Sequence, residues 1–118
     1  FLYRRARNKY GIEIPYTAKI GHSVVFEHQH GIVIHGDAII GDNCIIRQGV
    51  TIGNRYLETP NDVPTLGDNV NIGCGAVLLG GIKVGNNVNI GANAVVLSSI
   101  PDNHMAYGIP AKIREQSR

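Results

Sequence analysis

The chain has no tryptophan, and Phe and Tyr together make up only 6% of its 118 residues. A wide interior organised around ring systems is therefore excluded. Cysteine is almost as scarce. Cys44 and Cys74 lie thirty residues apart and outside any CxxC spacing, which excludes a disulfide-stapled scaffold and a Cys-rich zinc module and points to two buried thiols in a reducing cytosol. No apolar run approaches the ~20 residues of a membrane span, and no charged, apolar and small-residue series opens the chain, so a soluble protein with no membrane span is expected. Basic charge is missing where nucleic acid would require it. Between Gly11 and Ala111 the only basic residues are Lys19, Arg47, Arg55 and Lys83, with no stripe interleaved with aromatics, and nucleic-acid binding is set aside. The other cations sit at the ends, as Arg4, Arg5, Arg7 and Lys9, then Lys112, Arg114 and Arg118, where solvation is their ordinary role.

What the chain has in quantity is a six-residue repeat. An aliphatic or aromatic residue recurs at Ile14, Ile20 and Phe26, then Ile34, Ile40, Ile46 and Ile52, then Leu66, Ile72, Leu78, Val84, Ile90 and Val96. Glycine follows at Gly21, Gly41, Gly53, Gly67, Gly73, Gly85 and Gly91, where it is expected to take backbone geometry that a side chain would resist. The position two before is small or β-branched, as at Ala38, Cys44, Val50, Val70, Ala76, Val88 and Ala94. A period of six fits neither a helix nor an uninterrupted strand, so the chain must turn at every repeat. The pattern predicts an all-β, parallel β-helix with triangular coils of eighteen residues, both apolar positions pointing inward. Ile14 to Val96 makes roughly four coils, about 20 Å of stack at a strand spacing of about 4.8 Å. The expected organisation is a basic lead-in over 1–10, one repeat domain over 11–113 and a tail over 114–118. Because the sequence opens on Phe1, the lead-in is expected to be the end of a preceding helical part.

Two steps break the repeat. From Phe26 to Ile34 the step is eight residues, through Glu27-His28-Gln29-His30-Gly31. Two extra residues must bulge from the wall, and His28, His30 and His35 lie in or beside that bulge. Counting one coil back with the two extra residues pairs Ile14 with Ile34, which puts Glu13 within reach of His28. A histidine held by a carboxylate can take the proton from a hydroxyl that attacks an activated acyl group, the carboxylate fixing the imidazole tautomer and steadying the cation. The second break spans fourteen residues from Ile52 to Leu66, and the turn-forming content of residues 54–65 predicts a protruding loop.

The repeat, Gly11-Ile12-Glu13-Ile14-Pro15, Glu27-His28-Gln29-His30-Gly31, Gln48-Gly49-Val50-Thr51-Ile52-Gly53 and the ending Gly108-Ile109-Pro110-Ala111-Lys112 together resemble the hexapeptide-repeat acetyltransferases. Within that superfamily the likeness is to the catalytic half of serine O-acetyltransferases and of relatives that acetylate sugars in surface polysaccharides. The resemblance implies a left-handed coil, a homotrimer (or a dimer of trimers), and acetyl-CoA lying in a groove between two subunits. It further implies His28 as general base, Glu13 as its partner carboxylate and Glu27 as an acceptor contact. Gly53, Cys74 and Ala92 would be small residues along CoA, with Lys112 at its phosphates. His30 is expected to line the acceptor pocket, and Arg47 or Arg55 to meet an acceptor or a phosphate. The oxyanion donor is expected to be a backbone N–H, and no metal is expected. In serine acetyltransferases the loop ends in an Arg-His pair before Pro. Here Asp62-Val63 precede Pro64, so the acceptor stays open between L-serine and a sugar hydroxyl.

Two other classes remain. His30 and His35, five apart, resemble part of the zinc site of γ-class carbonic anhydrases, with His22 as the one remaining histidine before the bulge to serve as a third ligand. A trimeric solenoid kept for assembly alone is the other, though such a coil gains nothing from two extra polar residues in its wall.

Overall fold

The computed structural model describes residues 14–15, 17–27 and 30–116. Its strands are two to four residues long. β1 (Lys19–Ile20), β2 (Val25–Phe26) and β3 (Val33–Ile34) make the first coil, and β4 (Ile39–Ile40), β5 (Ile45–Ile46) and β6 (Thr51–Gly53) the second. β7 (Thr65–Leu66), β8 (Asn71–Ile72) and β9 (Val77–Leu79) form the third, and β10 (Lys83–Val84), β11 (Asn89–Ile90) and β12 (Val95–Val96) the fourth. β13 (His104–Tyr107) stacks in parallel on β11, and β14 (Lys112–Glu115) turns back antiparallel on β13. Residues 114 and 115, expected in a tail, therefore belong to a hairpin.

The coils generate three parallel sheets. The first face is ordered β1-β4-β7-β10, the second β2-β5-β8-β11-β13 with β14 at its edge, and the third β3-β6-β9-β12. Register locates both insertions. Val25 pairs with Ile45, an offset of twenty, whereas Val33 pairs with Thr51, an offset of eighteen, so the two extra residues fall between β2 and β3. The later offset of twenty-six, Thr51 to Val77, contains the long loop.

The interior is the one read from the repeat. Ile46, Ile52, Ile72, Leu78 and Val96 are 0% exposed, as are Ala38, Cys44, Val50, Ala76, Val88 and Ala94 from the position two before. Alternation along each two-residue strand puts one side chain in and one out, and stacking supplies the cover that a single coil lacks. Ile14, Ile20 and Phe26, at the first coil, pack against this core while only partly buried.

The glycines have a different explanation from the expected one. At the corner after the first face, Gly21, Gly41, Gly67 and Gly85 lie outside the left-handed region, which is taken instead by Ser23, Asn43, Asn69, Asn87 and Asn103 at φ of 57–61°. Glycine is needed there for space. The side chain of Asp42 accepts from the His22 N–H at 2.8 Å, Asp68 from Asp42 N–H at 2.8 Å, Asn86 from Asp68 N–H at 2.8 Å, and Asp102 from Asn86 N–H at 2.7 Å. Each of these side chains folds into the volume that a Cβ on the preceding coil's glycine would occupy.

The long loop protrudes as expected through Asp62, with Thr59 N–H donating to Tyr56 O at 3.3 Å and Asp62 N–H to Thr59 O at 3.1 Å. Val63 and Pro64 have already turned inward and are buried, which returns the chain to the wall two residues before the expected end.

Candidate functional site

His28 and Glu13, the expected base and its carboxylate, lie outside the described residues. The wall around the bulge is described, and it is organised as a column. At the corner after the second face, Gly49 N–H donates to His30 O at 2.7 Å, Gly75 N–H to Gln48 O at 2.9 Å, and Asn93 N–H to Cys74 O at 2.8 Å. His30, Gln48, Cys74 and Ala92 thus hold equivalent positions in four successive coils. The following residues, Gly31, Gly49, Gly75 and Asn93, all have φ between 59° and 72°. At Gly49 and Gly75 this left-handed turn is what lets the column stack without a Cβ penalty.

Side-chain length falls along the column away from the bulge, from His30 and Gln48 to half-buried Cys74 and exposed Ala92. Cys74 and Ala92, both expected along CoA, are therefore brought together. Gly53 is not with them. It ends β6 at the opposite end of the third face, at the root of the loop, where an added Cβ would meet only Leu79 Cδ2, at 4.0 Å. Lys112 is exposed on β14 in register with Tyr107.

Glu27 and Arg47 are adjacent rungs at the edge of the same corner. Arg47 Nε lies 3.3 Å from Glu27 Oε2, and its Nη1 donates to Ile72 O at 3.2 Å and to Asn71 Oδ1. One guanidinium therefore ties three coils together, and both residues expected to contact the acceptor are engaged with each other. The sequence reading missed Asn71 as the third member, although its register with Ile45 follows from the twenty-six-residue offset.

His35 is occupied by the fold. Its Nδ1 accepts from Asp37 N–H at 3.0 Å, and its backbone N–H donates to Ile52 O at 2.8 Å. Among the described residues no three His, Cys, Asp or Glu side chains converge on a common point. Cys44 and Cys74 are free thiols. Burial pushes the Cys44 thiol above its ordinary value, the nearby Asp68 and Asp42 carboxylates adding to the effect against hydrogen bonds from backbone groups of Val70 and Asn69. On the other side of the third face, Arg55, Tyr56, Thr59 and Asp62 of the loop and Leu79 and Leu97 of the wall enclose an open cavity of about 250 Å³. Arg55 stacks over the Tyr56 ring at 5.1 Å.

A coil of this construction, with two extra residues between β2 and β3 and a column of shortening side chains along one corner, is a solenoid of six-residue repeats. Residues 64–98 match the family described as bacterial transferase hexapeptide (six repeats). The chain is similar along most of its length to serine acetyltransferases. It is 50% identical over 103 residues to a serine acetyltransferase of Synechocystis sp., covering 87% of this chain and 41% of that protein. The structure of Brucella abortus serine acetyltransferase in complex with coenzyme A superposes with a TM-score of 0.91 at 33% identity, over 99% of this chain and 48% of that one. Soybean serine acetyltransferase complexed with serine gives a TM-score of 0.89 at 38% identity, over 95% and 46%. The chain spans about half the length of the relatives it matches. With them it shares the left-handed winding, an exception to the right-handed rule for parallel crossovers.

Proposed function

We propose that this chain is the β-helix of an acetyl-CoA-dependent O-acetyltransferase, working as a homotrimer in the cytosol. The observation that carries the reading is the column from Ala92 and Cys74 down to the bulge at residues 27–31. It offers an extended acyl carrier the small side chains of Ala92 and Cys74, followed by Gln48 and then His30. His28 takes the proton of the acceptor hydroxyl, and Glu13 fixes the imidazole and steadies its cation. The hydroxyl oxygen attacks the thioester carbonyl carbon, a backbone N–H stabilises the oxyanion, and the intermediate collapses by breaking the C–S bond. The leaving thiolate recovers the proton from His28, so the enzyme returns to its starting state.

Gly53 stands at the far end of the third face from Cys74 and Ala92, which favours a site completed by a second copy that contributes its Gly53 side. Lys112 supplies charge for the CoA phosphates, and His30 faces the acceptor. The acceptor is L-serine or a sugar hydroxyl. CoA release from acetyl-CoA, measured with L-serine and with nucleotide-linked or lipid-linked sugars, tests the reading. His28→Ala is expected to abolish transfer while leaving the oligomer intact. Full activity in that variant would remove His28 from its role, and CoA binding without transfer to any acceptor would favour the scaffold.

A further inference from the structure

Gln48 Oε1 is buried and has no hydrogen-bond partner among the described residues. A buried acceptor without a donor weakens the free protein, and a donor N–H from a bound ligand would satisfy it. Its place in the column says which kind. Gln48 stands one rung from His30 at the bulge, with Cys74 and then Ala92 beyond it. At about 4.8 Å per rung, Ala92 to His30 covers about 14 Å. A ligand lying extended over the short side chains of Ala92 and Cys74 meets its first long polar side chain at Gln48, just before its reactive end reaches the bulge. The preceding residue, Arg47, is tied to Glu27 on one side and to Asn71 and Ile72 on the other, so the backbone carrying Gln48 is held from both neighbouring coils.

We propose that Gln48 Oε1 accepts a hydrogen bond from an amide N–H of the pantetheine arm of CoA, making Gln48 the residue that sets how far the thioester advances toward the bulge. This inference rests on the acyl-CoA reading above. The arm carries amide N–H groups on an otherwise apolar chain, and each retains its proton throughout the reaction. The acceptor hydroxyl is a poorer match, because its proton must pass to the base.

The test is calorimetric titration of the wild-type chain, Gln48→Met and Gln48→Glu with CoA and with adenosine 3′,5′-bisphosphate, which lacks the arm. Gln48→Met keeps the length but not the acceptor, and is expected to bind CoA about tenfold more weakly, one lost hydrogen bond. The same variant should bind the bisphosphate as the wild type does, and its ligand-free melting temperature should rise because the unpaired oxygen is gone. Gln48→Glu keeps an acceptor oxygen and should restore most of the CoA affinity. Unchanged CoA affinity in Gln48→Met would overturn the inference, as would an equal loss for the bisphosphate or a lowered melting temperature. A shift in the KM for the acceptor alone, with CoA affinity unchanged, would assign the oxygen to the acceptor instead. Failure of the wild type to bind CoA at all would defeat the acyl-CoA reading itself, and this inference with it.

Discussion

A Cβ on Gly41 would stand 2.5 Å from Oδ1 of Asp68, the carboxylate that accepts the backbone N–H of Asp42 one residue further on. The glycine and the carboxylate are two halves of one device, repeated up the first corner of the solenoid. Gly41→Ala must displace both the Asp68 side chain and the backbone of Gly67, and overpacking of this kind costs about 1–3 kcal/mol or more. A urea melt of Gly41→Ala should show that loss. Gly53→Ala, with nothing nearer than Leu79 at 4.0 Å, should melt as the wild type does.

The same corner predicts which substitutions of Asp68 matter. Asn86 performs at the next coil the task that Asp68 performs for Asp42, so an amide oxygen suffices. Asp68→Asn is expected to be near neutral, while Asp68→Ala should lose about 1 kcal/mol as one hydrogen bond disappears. Thermal denaturation of the two variants side by side measures the difference.

Cys44 sets a pH dependence. Burial raises its thiol above the ordinary value of 9.0, so the folded chain holds the proton more tightly than the unfolded chain does. The stability this contributes is complete below the unfolded value, and is lost as pH rises through the folded one. Urea melts between about pH 8 and about pH 11 should show wild-type stability falling on the alkaline side, with a shallower fall in Cys44→Ala.

Arg47 is expected to act by holding other groups in place. Arg47→Ala releases Glu27, Asn71 and Ile72 O, yet the Arg47–Glu27 ion pair is partly exposed, with side-chain exposures of 30% and 43%, so its loss should move the melting curve by no more than about 1 kcal/mol. Transfer should fall by about 10- to 100-fold as the edge of the bulge loosens. A loss confined to the KM for an acceptor would instead place Arg47 in direct contact with substrate.

The coil path, the inward positions and the places of both insertions were legible in the sequence because each follows from counting. Residues at fixed spacing must point the same way once the chain turns every six, and a step of eight or fourteen can only leave the wall. The purpose of the glycines after the inward residues was not legible. Counting assigns Gly41 a position, but only the register of the next coil shows Asp68 filling the space beside it. The candidate site divides in the same way. Cys74 and Ala92 were named from resemblance and fall in one column. Gly53, named with them, stands at the other end of the face, because one coil back from Cys74 is Gln48, and Gly53 is one coil from Leu79. Gln48 could have been found by subtracting the twenty-six-residue coil from Cys74. The pairing of Glu27 with Arg47 needed side chains as well as register, since two residues assigned separately to the acceptor turn out to face each other.

A stack of parallel coils has no natural last member: its final strand edge offers the same unpaired amides and carbonyls that welcomed every coil before it, and another molecule's first coil would fit there. On the second face β14 closes that edge by running in the opposite direction, with Gln116 reaching back to Asn87 O at 2.7 Å. On that face an incoming coil would meet a strand of the opposite sense instead of the parallel edge that each earlier coil presents.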